Sequence, residues 1–185
     1  MSTTPLSIDE QLFLLRIARE TLSDELTGKP IRLIENSFVQ LDQIVGVFVT
    51  LKLGERLRGC IGNIIGQYPL CLGVQKMATE AAFHDPRFSP LTIDEFAKIH
   101  IEISVLSPLA PIQPSAVVVG KHGLLLRLGL RSGVLLPQVP VEQGWGRKEF
   151  LEGLCQKAGL PASAYLDKDA QLLAFTAQVF SEDEK

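Results

Sequence analysis

Residues 44–62 read IVGVFVTLKLGERLRGCIG, and the pattern of this stretch decides the architecture. Val45, Val47, Val49, Leu51 and Leu53 alternate with Ile44, Gly46, Phe48, Thr50 and Lys52, a period of two rich in β-branched and aromatic residues. Gly54-Glu55 can turn the chain, and Arg56 to Gly62 then return as the second strand of a hairpin. Strict alternation puts Arg56, Arg58 and Cys60 on one face of that strand and Leu57 and Ile61 on the other. A guanidinium two residues from a thiol favours the thiolate, and Gly59 and Gly62 admit a ligand or another backbone. The plainer reading is that Cys60 is a small buried hydrophobe and the glycines mark a bulge.

Upstream of the hairpin, Ser7 and Glu10 form a capping box that opens a helix over Ser7 to Thr27. Leu12, Leu15, Ala18, Leu22 and Leu26 give that helix an apolar stripe, and Gly28 and Pro30 stop it. Downstream, Pro69 starts a second helix with Leu70, Val74, Met77, Ala78, Ala81 and Ala82 as its stripe. It ends near Phe83-His84-Asp85-Pro86-Arg87-Phe88, because Pro86 cannot continue the hydrogen bonding. That segment is either a simple helix stop or a polar border in which His84, Asp85 and Arg87 frame a site.

Thr92 and Glu95 make a second capping box for a short helix running through Lys98. Ile99, Ile101, Ile103 and Val105 alternate with His100, Glu102 and Ser104 as a half-buried strand. Pro108, Pro111 and Pro114 then break up a connection able to separate two lobes. Short strands are expected at Val117 to Val119, Leu124 to Leu128 and Val134 to Leu136, with a turn at Arg131-Ser132-Gly133. Pro137 to Gly146 reads as irregular, Arg147 to Ala158 as a helix, and Leu172 to Phe180 as one last strand. The tail Glu182-Asp183-Glu184 reads as solvated. Hairpins mixed with helices predict an α+β fold with antiparallel sheet and flanking helices.

Net charge is −3 over 185 residues, with a pI near 5.6, which argues against a general affinity for nucleic acid or anionic membrane. No apolar run is long enough to span a bilayer, and Met1 to Glu10 lacks the pattern of a signal peptide. The three cysteines form no CxxC pair, so free thiols in a reducing, cytoplasmic setting are expected, without structural zinc.

No phosphate-binding loop, dinucleotide fingerprint, zincin helix or nucleophile elbow is present, and the sequence names no cofactor. A thiol-based site would use Cys60 as nucleophile, His122 or His84 as base, and Arg58 to stabilise thiolate or anion. Gly59, Gly62, Asp85, Arg87 and Lys121 are the further candidates for ligand contact. The three histidines share no helical face, so a metal would need tertiary assembly. Gly120-Lys121-His122-Gly123 resembles the loop that clamps nucleic-acid backbone in KH domains, although its flanks read strand-turn-strand.

Leu57 to Gly62 matches the LRGCIG signature of the AMMECR domain family, and further motifs follow in order. These are Ala81-Ala82-Phe83 with Asp85-Pro86-Arg87-Phe88, Glu102 to Leu106, Gly120 to Gly123, Leu136 to Val139, Trp145, and Lys157 to Leu160. The whole chain thus resembles a single AMMECR domain over 1–185, of the kind called AmmeMemoRadiSam system protein A. Gly146 departs from the pattern, since members often carry an acidic residue there, and His84 lies outside the matched motif. The resemblance implies a larger and a smaller lobe with the signature near a groove between them, and association with Memo-like and radical SAM proteins in a modification pathway. It fixes no reaction. A thiol-dependent enzyme or ligand-binding subunit, a non-enzymatic adaptor with a structural or docking signature strand, and an RNA- or DNA-binding protein are the three readings it leaves.

Overall fold

A computed structural model describes residues 5–30 and 37–182. The chain divides into two compact units, Met1–Leu106 with Gln178–Lys185, and Ser107–Ala177. The boundary falls at the start of the proline-broken connection.

The first unit is a sheet covered by helices. Helix α1 (Ile8–Leu26) begins at the expected capping box, with Ser7 accepting from the Glu10 N–H and Glu10 bonded back to the Ser7 N–H. Strands β1 (Val47–Leu53) and β2 (Arg56–Asn63) form the hairpin, β3 (Ile99–Leu106) pairs antiparallel with β1, and β8 (Ala177–Ser181) follows. The strand order is β2-β1-β3-β8, which leaves β2 at an edge. Val47, Val49, Leu51, Ile101 and Ile103 face Leu14, Ile17 and Leu22 of α1 and Val74 and Ala78 of α2 (Leu70–Thr79) in one core. Each such side chain, fully buried, contributes about 1.5–3 kcal/mol.

Helix α2 does not simply stop. It widens into a π-helical turn, Glu80–His84, before Asp85 takes the extended conformation demanded by Pro86. A short α3 (Ile93–Phe96) carries the second capping box at Thr92 and Glu95.

In the second unit, β4 (Ala110–Pro111), β5 (Gly123–Leu128), β6 (Arg131–Leu135) and β7 (Gln171–Phe175) form a sheet of order β4-β7-β5-β6. A short α4 (Gln138–Glu142) and α5 (Arg147–Lys157) complete it, and α5 buries Phe150, Leu151, Leu154 and Cys155 against Leu124, Leu126 and Leu172.

Five expectations are corrected. Residues 117–119 are not a strand: they follow a 3-10 turn at Pro114–Ala116 and lead into a turn closed by hydrogen bonds from the Lys121 and His122 N–H groups to the Val118 carbonyl. Arg131 to Gly133 belong to β6 rather than to a turn, which lies at Gly129-Leu130. The stretch 137–146 is not wholly irregular, since α4 occupies its middle. Residues 172–180 are two strands in different sheets, split at Thr176, whose backbone exchanges hydrogen bonds with Ser107 at 2.9 Å. Glu182 is anchored rather than merely solvated: it pairs with Arg19 and accepts from the Ile101 N–H at 2.9 Å. Asp183 and Glu184 lie outside the described residues.

Candidate functional site

The register of the hairpin shifts between Leu51 and Lys52, which face Gly59 and Leu57, so Arg58 is the extra residue of a β-bulge. One inserted residue reverses the alternation on either side of it. Leu57, opposite Lys52, therefore shares the face of Thr50 and Cys60, while Gly59 and Ile61 face the core with Leu51 and Val49. This corrects the strict alternation of Arg56, Arg58 and Cys60; the plainer reading put a bulge at the glycines, whereas the inserted residue is Arg58, just before Gly59, and Gly62 pairs in regular register.

Arg58 is buried, 6% exposed, and its guanidinium is committed. Nε donates to Glu95 Oε1 at 2.8 Å, and Nη2 donates to Glu95 Oε2 at 3.0 Å and to the Ser89 carbonyl at 2.9 Å. This bidentate pair, aided by the Thr92 cap, holds the Glu95 carboxyl down to about 2. Among the described residues Nη1 has no hydrogen-bond partner, and the Phe88 ring centre lies 5.8 Å from the guanidinium carbon.

Cys60, Asp85 and Arg87 are drawn together on the free edge of β2. The Cys60 N–H donates to Asp85 Oδ2 at 2.9 Å, and Arg87 Nη2 donates to the Cys60 carbonyl at 3.1 Å. Asp85 also accepts from Arg87 Nε at 2.9 Å, Nη2 at 2.7 Å and the Arg87 N–H at 3.1 Å. The two side chains thus replace the missing neighbouring strand at one residue of an exposed edge. The Asp85 carboxylate is fully buried, and the Arg87 guanidinium with the two backbone N–H groups holds it well below the usual carboxylate range despite its desolvation.

The Cys60 thiol is half-buried and accepts from Thr50 Oγ1 at 3.3 Å. Gly59 is required by packing: a Cβ there would sit 2.1 Å from the Ala81 carbonyl oxygen of the π-helical turn. Gly62 lies opposite Phe48, whose ring covers it.

Lys121 and His122 belong to the second unit, in a turn where the Val118 carbonyl accepts from both backbone N–H groups at 3.3 and 3.0 Å. His122 Nδ1 accepts from the Val118 N–H at 3.2 Å, and burial together with Lys121 lowers its pKa. His84 lies at the end of the π-helical turn, exposed, 3.4 Å from Glu80. Among the described residues no group of three or more His, Cys, Asp or Glu is placed to hold a metal ion.

A cleft of about 590 Å3 opens between β2 and α2. Ile61 and Asn63 of the signature strand form one wall. Gln67 and Tyr68 come from the connection, and Leu72, Gln75, Lys76, Thr79 and Glu80 from one face of α2, with Met77 beside them. Gln75 is buried and its Nε2 donates to Thr21 Oγ1 at 3.4 Å, while the Lys76 ammonium lies 4.9 Å from the centre of the Tyr68 ring. Ile61 and Met77 were read from sequence only as apolar positions of the strand and the helix, and the other lining residues were not singled out. The signal was the spacing 75, 76, 79, 80, which is helical periodicity in polar residues beside the apolar stripe.

The profile of the AMMECR1 family matches residues 15–180. The chain belongs to the AMMECR1 family. A protein of Pyrococcus abyssi is 42% identical over 183 residues, covering 92% of this chain and 89% of its own. One from Aquifex aeolicus is 40% identical over 179 residues, covering 92% of each. The crystal structure of an uncharacterised protein of Pyrococcus horikoshii matches with a TM-score of 0.80 at 42% identity, covering 92% of this chain and 90% of that one. This chain thus shares its sequence with these relatives, and its fold with the one of solved structure, over almost its whole length. No helix among the described residues is long and apolar enough to cross a membrane.

Proposed function

We propose that this AMMECR1-family protein binds a small molecule in the cleft between β2 and α2, with the LRGCIG strand as the rigid wall of the site. The observation that carries the reading is the cleft itself: its volume of about 590 Å3 falls in the range that takes small ligands, and its lining mixes an apolar floor with convergent polar groups. The interlock of Arg58 with Glu95 and of Asp85 and Arg87 with Cys60 supports a structural part for the signature, because both guanidinium groups already pair with a carboxylate. The bound molecule belongs to a modification pathway shared with Memo-like and radical SAM proteins, the partners that the family resemblance implies.

A second reading keeps Cys60 as a nucleophile. The half-buried thiol beside the Thr50 hydroxyl favours it.

A saturation-transfer screen of a diverse library of soluble fragments tests the first reading, run on the wild type and on a cleft-filling Leu72→Trp variant of matched thermal stability. Hits lost in the variant support the cleft. Hits retained by the variant, or no hits at all, refute it.

A further inference from the structure

The lining of the cleft also selects a chemical class, an inference that rests on the reading of the cleft as the ligand site. Lys76 and Glu80 are the side chains of opposite full charge in the lining, so the cleft carries no net charge, and the nearby cations Arg58 and Arg87 are bound to Glu95 and Asp85. The lining as a whole therefore favours a ligand of neither sign.

Hydrogen bonding does discriminate. Asn63 and Gln67 line the cleft, and each primary amide carries a donor and an acceptor side by side. Such a group pairs bidentately with a ligand edge that places an acceptor next to a donor, as in a lactam or amidine. The third amide of the lining, Gln75, is buried and bonded to Thr21. The apolar part of the lining is flat in character: the Tyr68 ring, steadied by Lys76, together with Ile61 and Met77. Aromatic and thioether groups of this kind favour the face of a planar ring.

We infer that the cleft takes an uncharged, planar nitrogen heterocycle with a lactam or amidine edge, of the nucleobase class. The ring lies against Tyr68 and Met77, and its edge is read by the amides of Asn63 and Gln67.

Isothermal titration of the full chain with adenine, hypoxanthine and uracil tests this, against benzoate, benzylamine and benzyl alcohol as planar rings that lack such an edge. Methyl chemical shifts of Ile61, Leu72 and Met77 report whether each probe occupies the cleft. The expected result is that at least one heterocycle binds about tenfold or more tighter than every benzene derivative. Gln67→Ala, at an exposed position, and Asn63→Leu then each reduce that preference without moving the thermal midpoint. Benzene derivatives that shift the same methyls with equal or greater affinity overturn the heterocycle inference and leave the cleft reading standing. If no probe of either kind shifts those methyls and no library fragment does so, both fall together.

Discussion

Replacing Asp85 by alanine removes the group that closes the free edge of β2. Four donated hydrogen bonds lose their acceptor, from the Cys60 N–H, the Arg87 N–H and two nitrogens of the Arg87 guanidinium. The Arg87 guanidinium, 53% exposed, recovers water, so its share of the loss is no more than about 1 kcal/mol. The N–H of Arg87, an exposed residue, also finds water, whereas the Cys60 N–H is held against the folded chain, and an unsatisfied buried donor costs about 1–3 kcal/mol. The expected destabilisation is therefore about 2–4 kcal/mol, or about 5–15 °C in thermal midpoint for a chain of this size. Urea unfolding at pH 7 of the wild type, Asp85→Ala, Arg87→Ala and the double variant measures it, with a coupling of about 1 kcal/mol or more expected between the two sites. Amide exchange at Cys60 should accelerate in Asp85→Ala. A loss below about 1 kcal/mol with the Cys60 amide still protected would refute the edge-closing part assigned to Asp85.

Other expectations follow from the same contacts. Gly59→Ala drives a methyl into the Ala81 carbonyl and should cost about 3 kcal/mol or more, or prevent folding, as read by urea unfolding or soluble yield. Asp85 and Glu95 stay ionised in the folded chain to lower pH than in the unfolded one, so the unfolded state takes up more protons in acid; stability should be level from pH 7 to about 5 and fall toward pH 2, and Glu95→Gln should flatten that fall in denaturant titrations. Burial and the nearby Asp42 push the Cys71 thiol up to about 11, so its alkylation at pH 7.5 should be slow and accelerate as the pH is raised, measured by site-resolved mass spectrometry. Cys60→Ser keeps a partner for Thr50 and should change stability by less than about 1 kcal/mol; intact ligand binding in that variant would set the thiol aside as part of the site.

The hairpin, both capping boxes and the antiparallel α+β class were legible because each rests on local periodicity or on residues three positions apart. The bulge at Arg58 was not, because one inserted residue leaves the apolar pattern of 44–62 intact while exchanging which side chains share a face. The break at Thr176 escaped because 172–180 holds no glycine, proline or charged residue to mark where the chain passes from one sheet to the other. Arg58 reads from sequence as a partner for Cys60, yet Glu95, 37 residues away, takes its guanidinium, and nothing local announces that pairing. The polar face of α2 was visible in principle but lay beside a stronger apolar stripe.

The decisive measurement is a two-dimensional methyl spectrum of the protein, with Ile, Leu and Met labelled, recorded against the fragment library. If the cleft beside the signature strand is the ligand site, Ile61, Leu72 and Met77 shift together, in wild type and Cys60→Ser alike. Shifts that avoid these three methyls, or binding that vanishes with the Cys60 thiol, would contradict it.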